Sequence, residues 1–553
     1  MSDFKRCRRI FFIMIITLFI FNLYALRLAQ IQLLQSRPLT ALAVAQRTES
    51  LILAGSRGEI LDRNGMSLTD SYSRSALVAL PGLLSGREEE VAAEYSWIPG
   101  VEQLMGGEIS PRPLVLAENI DSLLLENMPL PGGIIRTEIS TRYGPDRLAP
   151  HVVGYTDHRD GIKGIERSFN EELSPQRPCS VVAMVDGRRR LIPGLGYRFW
   201  TDSRATKPYN VHLTLDRGVQ QAVEQIMDRR IARGAVVVMD PWTGDLLAMA
   251  SLPAFDQIDL GAVYSEAEGD TGLLEASPFM NRAISSYPPG STFKMVAAAA
   301  YLDSGGKAGD FTYYCPGYIE VGDRRIFCAN HRAHGHVDLT EAMAQSCNGA
   351  FITLGWELGA ETLLEYAEAL GFGRKAGLPL EFEAQGNLPP EGIDRGILAL
   401  SSIGQGPVDV TPLQLARAYS AVANGGYLPA PRLVDRISTR GGITIKKYPV
   451  HRSARVLEPG ALKALNDMLH QVTTSGTGRA AASPLFEAAA KTGTAQTGRV
   501  MEDGREKMLY WIAGFAPREA PRYTLVVFIE EAIGNATSAA VFKEITEAIW
   551  NLH

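Results

Sequence analysis

Basic surplus is what this 553-residue sequence most plainly lacks: 55 Lys and Arg stand against 61 Asp and Glu, for a formal net charge of −6. A chain gripping nucleic acid by its phosphates would show a basic excess, so that class of partner is set aside. Cysteine is scarce too. Five cysteines in a chain this long do not make a disulfide framework, so a hydrophobic core must carry the fold. Internal repeats and low-complexity tracts are absent. After about residue 30 there is no further apolar run of membrane-spanning length. What is present is ordinary for folded protein, with 46% hydrophobic and 21% charged residues, and the length calls for two or more domains.

The first thirty residues stand apart. Lys5, Arg6, Arg8 and Arg9 precede an apolar stretch, 10–26, interrupted only by Thr17 and Asn22. A cleaved secretory signal needs small residues after that stretch, and Tyr24-Ala25-Leu26-Arg27 is a poor site. A retained anchor over 10–30 fits better. The basic residues put the tail, 1–9, in the cytoplasm and everything after the anchor outside the membrane. Cys7 then lies on the cytoplasmic side, while Cys179, Cys315, Cys328 and Cys347 lie in a compartment that can be oxidising.

Residues 56–65 read as a short strand entering an Asn64-Gly65 hairpin turn, where both central residues tolerate positive φ. The remainder of 31–205 mixes short strands, Pro/Gly turns and polar helices such as 87–95. It holds no catalytic constellation and reads as a mixed, mostly β pedestal. The texture changes near Thr206. Residues 211–216 alternate like a strand and end on Asp216, a helix cap for 219–229. Strands are expected at 234–239, 246–251, 510–516 and 523–529, and a closing helix at 539–550. Strands at both ends with helices between them predict an α+β domain over 206–553, its antiparallel sheet built from both chain ends.

Three short runs in that domain carry chemistry. Tyr287-Pro288-Pro289-Gly290 breaks the chain before Ser291, and 292–302 is apolar almost all round, as in a core helix. Ser291 then sits at the helix N-terminus, where free N–H groups favour developing negative charge. Lys294 shares its face at i+3, and a buried lysine that loses its proton can act as general base. Alone, the pair reads equally as a capping serine and a surface lysine. The second run, Ser346-Cys347-Asn348, follows a helix opened by Asp338 and Glu341 as a capping box; alone it is a polar helix end. The third, Lys491-Thr492-Gly493-Thr494, suits a strand whose glycine admits close backbone approach. Lys491 and Thr492 there suit a carboxylate, and the Thr494 N–H an oxyanion. Alone it is an ordinary Gly-containing strand.

Ser-x-x-Lys, Ser-x-Asn and Lys-Thr-Gly in that order resemble the penicillin-binding proteins and related serine β-lactamases. The wider run Arg57-Gly58-Glu59-Ile60-Leu61-Asp62-Arg63-Asn64-Gly65 is similar to the class B, monofunctional members. So are His151-Val152-Val153-Gly154-Tyr155, Gly164-Ile165-Glu166, Gly404-Gln405-Gly406, Thr411-Pro412-Leu413-Gln414 and Gly514-Phe515-Ala516-Pro517. These matches span nearly the whole chain. The resemblance implies a D,D-transpeptidase that cross-links peptidoglycan stem peptides. Ser291 would be nucleophile, Lys294 its base, Ser346 a proton relay, and Asn348 a holder of the donor amide. Lys491, Thr492 and Thr494 would bind the terminal carboxylate, with Gly493 giving access. β-Lactams would trap Ser291. It implies no metal and no organic cofactor, and a polytopic SEDS-family glycan polymerase as membrane partner. A D,D-carboxypeptidase, a β-lactamase and a non-catalytic penicillin sensor share the same motifs and stand as rivals.

Between the first two motifs lie Asp310, Cys315, Cys328, His331, His334 and His336, at irregular spacing for zinc. Three readings stay open there: bound zinc, a Cys315–Cys328 disulfide, or neither. Cys347 reads as a small buried filler.

Overall fold

The computed structural model describes residues 2–552 except 37–38, 40–47, 55–56, 85–86, 99, 105–112, 119–129, 158–159, 175–178, 187–191, 193–196, 201–207, 261–276, 452–453, 501–503 and 505. The helix Ser2–Ala29 opens the chain, and Phe11–Leu33 is the one stretch among the described residues long and apolar enough to cross a membrane. None of its side chains is buried, as expected of lipid-facing residues.

The chain divides into two compact units. One comprises Met1–Ser56, Tyr72–Thr141 and Pro175–Thr206; the other comprises Arg57–Ser71, Arg142–Ser174 and Lys207–His553. A single boundary at 205/206 therefore does not describe the chain, and that position itself lies outside the described residues. Within the first unit the strands are antiparallel, in orders Leu114–Glu118, Tyr72–Ala79, Ile134–Thr141 and Thr48–Ala54, Cys179–Met184, Tyr197–Trp200. Beyond Ser2–Ala29 the described helices there are short, in keeping with a mostly β reading.

Within the second unit, segments 57–71 and 142–174 are tied to each other by a buried charge cluster. Arg57 Nε meets Glu166 Oε2 at 2.5 Å, and Arg142 Nε meets Glu166 Oε1 at 2.6 Å. Glu166 is fully buried, so two guanidinium groups offset the desolvation of one carboxylate. Arg57 also donates to the Asn170 side chain at 2.8 Å and the Glu166 carbonyl at 2.7 Å. The Arg57-Gly58 and Gly164-Ile165-Glu166 runs are thus two halves of one packing device, and sequence distance hid it.

A five-stranded antiparallel sheet organises the second unit, in order Leu246–Leu252, Ile231–Met239, Tyr523–Ala532, Glu506–Ala516, Ala489–Val500. Its strands come from both ends of the domain, as the sequence predicts. Alternation along each strand feeds two cores. Val236, Val238, Leu525 and Val527 face one side, where helices Arg217–Arg230 and Ser538–Leu552 contribute Val223, Met227, Phe542 and Ile545. Ala235, Val237, Met239, Val526 and Phe528 face the other, packed with Val296, Ala299, Leu415 and Tyr419. Asp216 caps the Arg217–Arg230 helix, accepting from Gly218 and Val219 N–H groups. The Ala489–Val500 strand lies at the sheet edge, so one side of its backbone is left for a ligand.

Candidate active site

The nucleophile candidate sits on a 3-10 turn, Gly290–Phe293, and the α-helix begins at the lysine, Lys294–Asp303. The helix expected over 292–302 starts later because the turn before it is tied elsewhere. Thr292 Oγ1 donates to the Pro289 carbonyl at 2.8 Å, Tyr419 OH to the Thr292 carbonyl at 2.9 Å, and Trp511 Nε1 to the Pro288 carbonyl at 3.0 Å. Two separate elements and the turn's own Thr292 therefore fix the backbone around Ser291, which is half-buried while 292–300 are buried.

Glycine at 404 allows the turn to close. Its φ is +69°, and a Cβ there would stand 2.2 Å from the Gly290 carbonyl oxygen. Gly290 N–H in turn donates to the Gly404 carbonyl at 2.9 Å. Gly404→Ala is expected to lose about 1–3 kcal/mol of stability and to slow acylation of Ser291 together, because the displaced backbone carries the nucleophile. Thermal melting and penicillin-acylation rates on the same preparation check this; unchanged values in both would refute it.

Lys294 is fully buried. Its Nζ donates to the Ser346 carbonyl at 2.8 Å, to Asn348 Oδ1 at 2.7 Å and to Ser346 Oγ at 3.3 Å. Burial pushes the amine down to about 8, opposed by the Cys347 and Cys328 sulfurs nearby. Lys491, also fully buried, donates from the opposite side to Ser346 Oγ at 3.0 Å and to the Thr492 carbonyl at 2.9 Å. Burial, and then the Lys294 charge, hold it well below the usual lysine range. The Ser346 hydroxyl therefore bridges the two amines.

Ser346 adopts φ +55°, a left-handed conformation that costs a non-glycine residue about 1–2 kcal/mol. Helix Leu339–Ala344, with its Asp338/Glu341 capping box formed, ends just before it, and helix Asn348–Ala369 starts just after. The strained residue is held between two helix ends, and its side chain meets the amines. Asn348 Nδ2 donates to the Phe327 carbonyl at 2.8 Å, which fixes the amide with its oxygen toward Lys294. The three motifs thus come together as their order in the chain implies.

On the edge strand, a Cβ on Gly493 would stand 2.8 Å from the Pro289 carbonyl oxygen, so only glycine lets strand and turn touch. Thr492 Oγ1 shares a hydrogen bond of 2.7 Å with Thr477 Oγ1, and Thr494 is exposed. Thr477, Tyr419 and Trp511 were not legible as site residues. Only Thr477 had a signal, since the Thr473-Thr474-Ser475-Gly476-Thr477-Gly478 loop is similar to the family's segment ahead of Lys-Thr-Gly.

The cysteine and histidine cluster differs from expectation. His331, His336 and Asp310 are exposed and stand apart. Cys315, Cys328, His334 and Cys347 converge, their ligand atoms all within 4.8 Å of one another. Cys347 is therefore no mere filler, and Cys315 and Cys328 are free thiols with sulfurs 3.6 Å apart.

A hydroxyl on a clamped turn, two amines held below their usual range and a strand edge beside them suit acyl transfer through Ser291. Residues 234–547 match the family model described as the penicillin-binding protein transpeptidase domain. The chain is 29% identical over 564 residues to stage V sporulation protein D of Bacillus subtilis, covering 95% of this chain and 82% of that protein. It is 32% identical over 432 residues to the peptidoglycan D,D-transpeptidase PbpA of Mycolicibacterium smegmatis, covering 72% and 83%. The crystal structure of a D,D-transpeptidase domain of a peptidoglycan glycosyltransferase from Eggerthella lenta aligns with a TM-score of 0.65 at 26% identity, covering 90% of this chain and 99% of that one. Motifs, geometry and likeness agree along the same residues: the chain belongs to the penicillin-binding protein transpeptidase family.

Proposed function

We propose that this chain is a membrane-anchored D,D-transpeptidase cross-linking peptidoglycan stem peptides. The observation that carries the reading is the hydrogen-bonded chain Lys294–Ser346–Lys491, whose first member opens the helix that follows the Ser291 turn. Neutral Lys294 takes the Ser291 proton as Oγ attacks the carbonyl of the penultimate D-alanine. The oxyanion is held by the backbone N–H groups of Ser291 and Thr494. When it collapses, the C–N bond breaks and the proton returns through Ser346 to the departing D-alanine. Lys491, Thr492 and Thr494 hold the terminal carboxylate, and Asn348 the donor's amide. An amine of a second stem peptide then attacks the ester, giving the new amide and restoring the Ser291 hydroxyl. A β-lactam follows the first half and stalls as an ester.

The N-terminal helix serves as anchor, with its basic tail cytoplasmic and the catalytic unit outside, and the first compact unit serves as pedestal. A SEDS-family polymerase supplying glycan strands is the partner this arrangement suits.

A fluorescent penicillin tests the reading on the full chain. A covalent adduct that persists for many turnovers' worth of time supports a transpeptidase, while rapid release of hydrolysed penicillin sinks it in favour of a β-lactamase. Acylation requires Lys294 without its proton, so the rate is expected to rise roughly tenfold from pH 6 to pH 7 and to flatten above about pH 8. A flat profile across that range would remove Lys294 from the role of base.

A further inference from the structure

We propose that Cys315, Cys328, His334 and Cys347 form a closed structural zinc site that fixes the second catalytic motif. Four donors converge within 4.8 Å of one another. Tetrahedral zinc with bonds near 2.3 Å to sulfur and 2.0–2.1 Å to nitrogen needs about 3.8 Å between sulfurs and about 3.6 Å from sulfur to nitrogen. The structure has 3.6 Å between Cys315 and Cys328, 3.9 Å between Cys328 and Cys347, and 3.4 Å from Cys315 Sγ to His334 Nδ1. All three cysteines are buried and His334 half-buried, so the donors face one another and not solvent. Three thiolates and one imidazole leave no open position, which marks a structural and not a catalytic metal.

Backbone N–H groups are directed at two of the sulfurs. Gly317 N–H donates to Cys315 Sγ at 3.4 Å, and the N–H groups of Asn348 and Gly349 point to Cys328. The local fold also needs a staple. Residues 312–338 form two separate two-stranded ribbons, Thr312–Cys315 with Gly335–Asp338 and Tyr318–Val321 with Arg324–Phe327. Within 312–338 the buried side chains are Cys315, Cys328 and Val337 alone, so two of the three are ligands. Two-stranded ribbons with so little core do not hold themselves in water.

The donors come from places that matter to the reaction. Cys347 is the middle residue of Ser346-Cys347-Asn348 and caps the helix Asn348–Ala369. Cys328 follows Phe327, whose carbonyl accepts from Asn348 Nδ2. A metal bridging Cys328 and Cys347 therefore sets the distance between that carbonyl and Asn348, and with it the groups around Lys294. The four residues position the catalytic side chains without touching substrate. The family resemblance calls for no metal, and the ligand set differs from the histidines the sequence offered: only His334 takes part.

The full chain, purified in detergent under reducing conditions without added metal, decides the matter. About one zinc per chain is expected by elemental analysis, falling to about a tenth or less in Cys315→Ser and in His334→Gln. Cobalt exchanged into the wild-type chain is expected to give intense thiolate charge-transfer absorption, a readout independent of whether those variants fold. Chelation is expected to slow penicillin acylation of Ser291 about tenfold or more and to lower the melting temperature by several degrees, with zinc restoring both. Zinc-free chain with full acylation overturns the proposal. So does zinc unchanged in both variants, a weak octahedral cobalt spectrum, or a disulfide among these cysteines in chain that acylates normally.

Discussion

Ser291→Ala is expected to abolish covalent labelling by penicillin and to lower cross-linking by at least about 10⁴-fold, while leaving the melting temperature within a degree or two. The size of the loss follows from the chemistry. No other side chain at the turn offers an oxygen: Thr292 Oγ1 is buried and already donates to the Pro289 carbonyl. The small effect on stability follows from the clamps, because Tyr419 and Trp511 hold backbone carbonyls, not the Ser291 side chain. Gel fluorescence with a labelled penicillin and thermal melting of the same sample make the comparison. Persistent labelling of the variant would show that another residue is acylated, and the assignment of Ser291 would fall.

Lys294→Met is expected to move activity and stability in opposite directions. Acylation falls about 10³-fold or more, since the base is gone while the oxyanion N–H groups remain. The melting temperature at neutral pH rises. Lys294 is fully buried, and its folded-state value is drawn down from 10.5 to about 8. Between those two values the unfolded chain binds a proton that the folded chain does not, so stability climbs with pH across that window. Below about 8 both states are protonated and the whole cost, about 3 kcal/mol, is present. Methionine removes that cost but leaves the Ser346 carbonyl and Asn348 Oδ1 without a donor, so the net gain is about 1–2 kcal/mol at pH 7. The gain should shrink as the pH approaches 10. A variant that melts lower than wild type at pH 7 would mean that the amine's hydrogen bonds outweigh its desolvation.

Much of this was legible in the sequence for physical reasons. The apolar strand runs at 234–239 and 523–529 and the Asp216 cap depend on neighbours within a few residues, and all are formed where they are expected. The Asp338/Glu341 capping box is equally local and is formed. The three motifs were legible because each keeps its chemistry in three or four consecutive residues. What was not legible depends on distant partners. Arg57 and Glu166 are 109 residues apart, so neither run announces that it completes the other, or that 57–71 leaves the first unit. Tyr419 and Trp511 look like ordinary core aromatics until their polar atoms meet the Ser291 turn. Cys347 was read as filler because its partners are 13 and more residues upstream, and His331, the histidine nearest Cys328 in sequence, stands apart from the cluster.

The edge strand has a consequence for variation. Along 491–496 the residues alternate, with Lys491, Gly493 and Ala495 buried and Thr494 and Gln496 exposed. The buried half is locked by the turn, the second motif and the core. The exposed half carries almost none of the stability, so substitutions at 494 and 496 cost the fold little, within about 0.5 kcal/mol. An extended ligand pairing with this edge would meet the strand backbone and, at Thr494, an exposed side chain that serves binding and not the core. Selection for poorer binding of one acylating compound thus has an inexpensive route open here, because changes at Thr494 or Gln496 alter what the edge presents without first having to be rescued by stabilising changes elsewhere.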